Sequence, residues 1–396
     1  MRIAVFDFPF DSGFIVNIVL MQKIIISALF FLAPICAFAQ EKTLPRDLGL
    51  KIGVLAPGKL NAITDVAGVQ VGHETIVRGN SVRTGVTAII PQSGNIFQFK
   101  LPAAVFSGNG FGKLAGSTQV QELGNLETPI ILTNTLGVAT AMEAVIDYTL
   151  SQPGNEAVQS VNSLVGETND GYLNDIRGRH VSRADVLNAI RKAKGGLVEQ
   201  GAVGAGTGTV CFGFKGGIGT SSRKLPQSLG GYTVGVLVQT NFGGVLQIDG
   251  VPVGEELGKF SFSDKLLNSV DGSCMMVVAT DAPLDARNLE RLAKRAFMGM
   301  AKTGGIASNG SGDYVIAFST AASLRVPHQP QLSVSNAGYL HNDYTSQIFM
   351  SAIEATEEAI INSLFAATKM TGREARTVET IPLDKVISIL KKYNRL

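Results

Sequence analysis

The stretch from Asp271 to Leu284 constrains the fold most, because it joins a loose connector to a buried strand. A Gly-Ser pair at 272–273 leads into the apolar run Cys274 to Ala279. Such a run predicts a strand in the core. Upstream, residues 255–270 mix Gly, Ser, Lys, Asp and Phe without periodicity, which is typical of a connector.

Two interpretations of Gly272-Ser273 stay open on these residues alone. In the simpler one, the pair is a turn before a core strand. In the other, the chain cuts itself there and leaves Ser273 as a new N-terminus, with its hydroxyl as nucleophile and its own α-amine as base. An α-amine suits this work because its reference pKa is about 7.7–8.0, and because covalent geometry holds it beside the hydroxyl.

Composition predicts a globular protein with a sizeable core. The 396 residues are 45% hydrophobic and 17% charged, with a net charge of +2. We expect no nucleic-acid partner, since nucleic-acid binders concentrate basic residues on one surface. The length allows one large domain or two ordinary ones.

The N-terminal region predicts export. The apolar run Ile24 to Leu32 is followed by Ala37-Phe38-Ala39, which fits the small-x-small rule of signal cleavage. The signal would span 21–39, with Gln40 first in the mature chain, and residues 1–20 would come from an upstream start. The alternative is an anchor helix, for which the apolar run is short. We therefore expect a periplasmic or secreted protein that does not contact the membrane after signal removal.

Apolar patterns predict strands and helices in mixed order. The strand-like runs are 68–73, 85–91, 129–135, 232–239, 274–279 and 314–318. The helical segments are about 137–150, 183–195 behind a Ser182/Asp185 capping box, 285–302, 344–369 and 382–393. Several strands in direct succession favour layered α+β packing over a strictly alternating parallel sheet.

Other catalytic centres have little support in the sequence. None of the four histidines lies in a recognisable motif, and no Gly-x-Ser-x-Gly elbow is present. The two cysteines of the mature chain, Cys211 and Cys274, are too few for a zinc cluster or a disulfide framework. We expect two buried thiols, and one bridge between them is the alternative. The run Gly201–Gly208 lacks dinucleotide and P-loop spacing, so a turn-rich connection explains it better. We expect neither a metal nor another cofactor.

Three polar stretches gain interest beside Ser273. The amide of Asn241, after a strand-like run, can donate to an oxyanion. Ser311 and Asp313 are two residues apart and would face one pocket if extended. The segment Gly166–Asp175 gathers acids around Tyr172. Taken singly, each stretch is more often a turn than a site.

Together these stretches resemble the self-processing aminopeptidases that include the L-aminopeptidase/D-amidase-esterases and the β-peptidyl aminopeptidases. The likeness runs from about Gly58 to the C-terminal helices, nearly the whole mature chain. The stretches that carry it include Leu132-Thr133-Asn134-Thr135, Gly201–Gly208, Phe212–Thr220, Ile248–Gly254, Ala279–Leu284 and Gly310-Ser311-Gly312-Asp313.

The resemblance implies a four-layer α-β-β-α sandwich. Its layering is like that of N-terminal-nucleophile hydrolases but its strand connections differ, and ornithine acetyltransferase is a distant relative. It also implies cleavage between Gly272 and Ser273. Residues 40–272 and 273–396 would then be two fragments of one catalytic domain. A homo-oligomer, a tetramer of cleaved protomers, is expected on the same ground.

The resemblance also implies roles for single residues. Ser273 would be the nucleophile, and Asn241 would hold the oxyanion with a backbone amide near Cys274 as second donor. Ser311 would hydrogen-bond the Ser273 amine, and Asp313 would orient that pair. In the substrate pocket, Glu167 would bind the free amino group and Tyr172 would line the wall. The chain departs from the family at Asp313, where other members often have Glu, so the acid's reach to Ser311 is shorter.

The function implied is a serine aminopeptidase that releases N-terminal residues from small peptides, amides and esters through an acyl-enzyme on Ser273. An acyltransferase of the ornithine acetyltransferase kind is the alternative, against which the Ser nucleophile and the export signal argue. A non-catalytic binding protein would be expected to lose the polar set. The residues leave open whether α- or β-amino acids, L or D, are preferred.

Overall fold

The computed structural model describes residues 1–5, 7, 43–263, 272–335 and 337–396. The predicted signal segment, 21–39, and residues 264–271 of the connector lie outside the described residues. Thr43–Leu396 form one unit and Met1–Lys42 another. All described helices and strands belong to Thr43–Leu396. Within the described ranges, no helix is long and apolar enough to cross a membrane.

The predicted helices are present, with ends that differ by a few residues. The helices are α1 Ser117–Leu123, α2 Val138–Leu150, α3 Arg183–Lys192, α4 Val253–Glu256, α5 Ala286–Lys302, α6 Ser346–Phe365 and α7 Leu383–Lys392. The Ser182/Asp185 capping box at the start of α3 is confirmed. α3 ends earlier than predicted because Lys194 pairs its backbone with Val71. α6 begins slightly later than predicted because Asn342–Tyr344 form a separate 3₁₀ turn, and it ends at Phe365, before the predicted end at residue 369.

One sheet orders its strands β1-β2-β6-β7-β4. The bounds are β1 Gln70–Arg78, β2 Val82–Ile90, β4 Leu114–Ala115, β6 Ile130–Asn134 and β7 Leu164–Thr168. β6 and β7 are parallel, so a crossover must join them, and α2 supplies it. α2 and α3 cover the outer face of this sheet.

The second sheet orders its strands β10-β11-β12-β13-β3-β14, with β5 beside β3. The bounds are β3 Phe99–Gly110, β5 Asn125–Leu126, β10 Ile218–Lys224, β11 Thr233–Asn241, β12 Ser273–Thr280, β13 Gly312–Ser319 and β14 Val326–Pro327. Two short hairpins complete the set: β8 Val210–Cys211 with β9 Phe214–Lys215, and β15 Met370–Thr371 with β16 Thr377–Val378.

The sides of β12 show how the layers stack. Met275 and Val277 pack toward the first sheet, whereas Cys274 and Met276 pack among residues of α5 and α6. Every residue of β12 is buried, because both faces of the strand are covered. Helices, sheet, sheet and helices therefore follow one another, which confirms the α-β-β-α sandwich. Cys211 and Cys274 are free, buried thiols, as predicted.

Candidate active site

Ser273 opens β12 and is 5% exposed. The Gly272–Ser273 peptide bond is intact, and the Ser273 hydroxyl donates a 2.5 Å hydrogen bond to the Gly272 carbonyl oxygen. The backbone N–H of Gly312 donates a 3.2 Å hydrogen bond to the same oxygen. The hydroxyl thus lies against the carbonyl group that self-cleavage would attack, and a backbone donor already polarises that group.

Asn241 ends β11 directly opposite Ser273 in the antiparallel register. Directly opposite residues of such strands point to the same face, so the two side chains share one side of the sheet. Asn241 Oδ1 accepts from the Val210 N–H at 3.0 Å, and Nδ2 donates to the Asn169 carbonyl oxygen at 3.0 Å. Because an amide nitrogen has two hydrogens, one remains for an oxyanion.

Ser311 and Asp313 are fully buried at the start of β13, the parallel neighbour of β12. Among the described residues, neither the Ser311 hydroxyl nor either Asp313 carboxylate oxygen has a hydrogen-bond partner. Burial raises the pKa of Asp313 to about 6, and the nearby Ser311 hydroxyl and Cys274 N–H only partly offset that rise. Buried groups without partners are costly, so this pair is available to a further hydrogen-bonding group.

Glu167 belongs to the other sheet, near the end of β7, and is 3% exposed. Its Oε1 accepts from the Lys113 backbone N–H at 3.1 Å, and its Oε2 accepts from the Thr135 hydroxyl. The Lys113 ammonium lies 3.6 Å from Oε1. This buried carboxylate is held by neutral donors and one loose cation, so its negative charge is only partly compensated.

Gly112 shows that Glu167 and the strand beside the nucleophile share one pocket. A Cβ atom built on Gly112 would lie 3.3 Å from Glu167 Oε1, from the Cα of Gly312 and from the Tyr314 ring. Burial raises the pKa of Tyr314, and the charges of Glu167 and Asp313 add to the rise. The structure thus places Asn241 directly opposite Ser273, and it places Ser311 and Asp313 at the start of the adjacent strand β13, whose Gly312 and Tyr314 lie near Glu167.

Tyr172 lies in the loop that follows β7. It packs beside a small cluster of Leu173, Val210 and Val378, and the Arg376 guanidinium lies 5.1 Å from its ring centre. Tyr172 is linked to the site only indirectly. Val210, in the cluster beside Tyr172, and Asn169, in the same loop, both hydrogen-bond the Asn241 amide. Its predicted role in the pocket wall stays a prediction.

Three side chains that hold this region were not predicted from the sequence. Thr135 and Lys113 contact Glu167, and Asn109 Nδ2 donates to the carbonyl oxygens of Ser308 and Ser311 at 2.9 and 2.5 Å. Asn109 and Lys113 flank a Gly-rich turn at the end of β3, a strand that no pattern predicted. Thr135 lies within the motif Leu132–Thr135, which carried resemblance but no assigned role.

Lys215 is a buried lysine that pairs in β9 with Val210, the residue whose N–H donates to Asn241. Its Nζ donates to the carbonyl oxygens of Gly206 and Gly216 at 2.9 and 2.8 Å. Burial lowers the pKa of Lys215 to about 7 and raises that of nearby Asp170 to about 7. The run Gly201–Gly208 is thus a buried turn that Lys215 braces. No group of three His, Cys, Asp or Glu is placed to hold a metal ion in the part of the chain that the structure describes.

Comparisons with known proteins agree with this geometry. Residues 61–378 match Peptidase family S58. The chain is 41% identical to the β-peptidyl aminopeptidase BapA of Sphingosinicella microcystinivorans over 384 residues, which is 91% of this chain and 95% of that protein.

Two solved structures show the same fold. The β-aminopeptidase of Burkholderia sp. is 40% identical with a TM-score of 0.82, over 88% of this chain and 99% of that one. The L-aminopeptidase D-Ala-esterase/amidase of Ochrobactrum anthropi, described as a prototype for the serine aminopeptidases and a new variant of the Ntn-hydrolase fold, is 34% identical. Its TM-score is 0.81, over 89% of this chain and 99% of that one. The chain therefore belongs to peptidase family S58, and it is a serine aminopeptidase.

Proposed function

We propose that the chain cuts itself between Gly272 and Ser273, and that the new Ser273 α-amine is the base for peptide hydrolysis. One observation carries this proposal: the 2.5 Å hydrogen bond from the Ser273 hydroxyl to the Gly272 carbonyl oxygen. Ser311 and Asp313 lie beside it as buried groups without partners among the described residues. The α-amine released by cleavage supplies the donor that these groups lack.

Self-cleavage needs only groups already at hand and one water molecule. Ser273 Oγ bonds to the Gly272 carbonyl carbon while the hydroxyl proton passes to the departing Ser273 nitrogen. The Gly312 N–H, already 3.2 Å from the Gly272 oxygen, stabilises the oxyanion. Water then hydrolyses the ester, which leaves a Gly272 carboxylate and a free Ser273 amine.

Hydrolysis of a substrate repeats this chemistry on another carbonyl group. The Ser273 amine takes the hydroxyl proton, Oγ attacks the scissile carbonyl carbon, and Asn241 Nδ2 donates to the oxyanion. The amine then gives its proton to the leaving nitrogen, and water hydrolyses the acyl-enzyme. Ser311 and Asp313 hold the amine in place through both steps. The Cys274 N–H lies near the Asp313 carboxylate and favours its charged form. The second oxyanion donor, a backbone amide near Cys274, stays a prediction.

Glu167 makes the enzyme an exopeptidase by binding the substrate's free ammonium group. Its carboxylate is buried and faces the same pocket as Gly312. We propose N-terminal β-amino acyl units as preferred substrates, with amides and esters accepted. The support is the identity with proteins named β-peptidyl aminopeptidase and L-aminopeptidase D-Ala-esterase/amidase.

The test compares Ser273→Ala with Glu167→Gln. Ser273→Ala should abolish both self-cleavage and hydrolysis, because one hydroxyl serves both. Glu167→Gln should still cut itself, since the precursor's own bond presents no free amine. It should lose about a hundredfold to several thousandfold in kcat/KM on aminoacyl p-nitroanilides, since an unpaired buried ammonium costs on the order of 3–5 kcal/mol. Wild-type rates in Glu167→Gln would overturn the assignment, and Asp170 and Asp175 would be tested next.

Export and assembly complete the proposal. The signal pattern at 21–39 supports a periplasmic or secreted location, and N-terminal sequencing of the larger fragment should begin at Gln40. Homo-oligomers are supported by an apolar groove at Phe99, Leu332 and Val334, residues that are exposed in the single chain. Light scattering should give the mass of a tetramer of cleaved protomers. A purified protein that still begins at residue 21 would contradict the predicted export. A monomer at micromolar concentration would contradict the predicted oligomer.

A further inference from the structure

Lys113 touches the amine-binding carboxylate twice. Its backbone N–H donates to Glu167 Oε1 at 3.1 Å, and its ammonium lies 3.6 Å from the same oxygen. The lysine side chain is 56% exposed, whereas that of Glu167 is 3% exposed. A pair this loose and this open to solvent is worth little to stability, so the ammonium remains available to a ligand.

The charges around the pocket indicate what that ligand carries. Glu167 and Asp313 supply the negative charge near Tyr314, and Lys113 is the cation in contact with Glu167. A substrate ammonium that binds Glu167 brings a second positive charge to the same oxygen. An anionic group on the carbon that bears this ammonium would pair with Lys113 and remove the repulsion between the two cations.

We propose that Lys113 selects β-aspartyl units, in which aspartate is joined to the next residue through its side-chain carboxyl group. In this acyl unit one carbon carries both a free ammonium and a free carboxylate. Glu167 binds the ammonium and Lys113 binds the carboxylate. The amine is two carbons from the scissile carbonyl, as in any β-amino acyl unit. The inference rests on the proposed role of Glu167 as the amine anchor.

The reaction is the one already described, on this substrate. Ser273 Oγ forms an ester with the β-carbonyl carbon, and the carbon–nitrogen bond to the next residue breaks. The leaving nitrogen takes the proton held by the Ser273 amine. Water then hydrolyses the ester, so the products are free aspartate and the shortened peptide. The α-carboxylate and ammonium take no part in bond making.

The experiment uses two substrates that differ in one group. β-Aspartyl p-nitroanilide carries a carboxylate on the amine-bearing carbon, and β-homoalanyl p-nitroanilide of the same spatial arrangement carries a methyl group there. Purified, self-cleaved wild type, Lys113→Met and Lys113→Arg are assayed on both. All three keep the backbone N–H of residue 113, and Met matches the length of the lysine stem without its charge.

The readout is the ratio of kcat/KM for the β-aspartyl substrate to that for the β-homoalanyl substrate. Lys113→Met should lower this ratio about two- to fivefold, the contribution of one partly solvated charge pair, through KM. Its β-homoalanyl KM should fall, because a competing cation has gone. Lys113→Arg should retain most of the wild-type ratio.

Two results would overturn the inference. One is a wild type that hydrolyses β-homoalanyl but not β-aspartyl substrate; the other is a ratio that Lys113→Met leaves unchanged. A failure of the proposed aminopeptidase function gives a different result. In that case the wild type would hydrolyse neither of these two substrates nor alanyl p-nitroanilide.

Discussion

Two clusters of buried polar side chains on the larger sheet differ in how completely they are paired. At β10, the fully buried Arg223 donates to Glu354 at 3.0 Å and pairs with Glu358 at 2.8 Å. It also donates to the Ile52 carbonyl oxygen at 2.7 Å and to Ser221 Oγ at 3.0 Å. This cluster joins the sheet to α6 and to the chain that precedes β1.

The cluster at the start of β13 is as deeply buried but incomplete. Ser311 and Asp313 have no hydrogen-bond partner among the described residues, and burial raises the pKa of Asp313 to about 6. The Arg223 cluster holds the layers together because each charge meets an opposite charge or a carbonyl group. Burying the Ser311–Asp313 cluster without partners lowers the stability of the fold. Such groups with shifted pKa values are typical of catalytic sites.

Breaking the paired cluster should have the largest effect. Arg223→Met leaves Glu354 without its buried cation, which should lower the free energy of unfolding by about 3–5 kcal/mol. Urea titration followed by circular dichroism measures this. Arg46→Met is the matched control, because Arg46 also pairs with Glu358 but is 25% exposed. Equal losses in the two variants would show that burial does not distinguish these pairs.

Removing the unpaired charge should affect activity and not stability. Asp313→Asn keeps the shape of the side chain, and we expect kcat/KM to fall about a hundredfold or more because the Ser273 amine is no longer oriented. The free energy of unfolding at pH 8 should not fall, since burial disfavours the charged Asp313 more than the nearby Ser311 hydroxyl and Cys274 N–H favour it. A variant that cuts itself and works at wild-type rates would show that Asp313 does not orient the amine.

The raised pKa of Asp313 also predicts how the stability of the uncut chain depends on pH. A carboxyl group with a pKa near 6 in the folded chain and an ordinary pKa of 3.8 stabilises the fold fully below pH 3.8. That contribution is lost as the pH rises through about 6, and it amounts to on the order of 2–3 kcal/mol. Chemical denaturation of Ser273→Ala between pH 4 and 7 should show the loss, and Ser273→Ala/Asp313→Asn should lack it. The same dependence of stability on pH in both variants would refute the raised pKa of Asp313.

Filling the shared pocket should have the smallest effect. Gly112→Ala adds a Cβ 3.3 Å from Glu167 Oε1 and from Gly312 Cα, so neighbours must move by a few tenths of an ångström. We expect KM for free-amine substrates to rise about three- to tenfold, on the order of 1 kcal/mol. Gly110→Ala is the control, because its Cβ would meet only Ser107 Oγ, at 3.5 Å. Equal KM values in the two variants would place substrate elsewhere.

The sequence predicted most of the fold because hydrophobic periodicity and caps are local signals. β12, α2, α5 and the capped start of α3 all appear within a few residues of their predicted bounds. β3 was missed because Pro102, Gly108 and Gly110 interrupt its pattern. The pairing of β3 with β13 compensates for these residues, and that long-range contact is invisible in a local pattern.

The site residues also fall into those that local sequence motifs predicted and those that only the structure reveals. Ser273, Asn241, Ser311 and Asp313 were predicted from short motifs, and β11, β12 and β13 bring them together as adjacent strands. Lys113 and Thr135 were missed because their importance comes only from contact with Glu167, which is distant from both in sequence. Lys113 precedes β4 and Thr135 follows β6, the two strands that flank β7 in the first sheet, and no spacing in the chain encodes this strand order.

The mass of the purified, active protein tests the central claim most directly. The account predicts that denaturing mass spectrometry finds two polypeptides, with the shorter one, residues 273–396, of about 13 kDa from a 41.7 kDa chain of 396 residues. Edman sequencing of that fragment should read Ser-Cys-Met-Met, and Ser273→Ala should remain one chain. An active enzyme that consists of a single uncut polypeptide would contradict the account, because the Ser273 amine would still be held in a peptide bond.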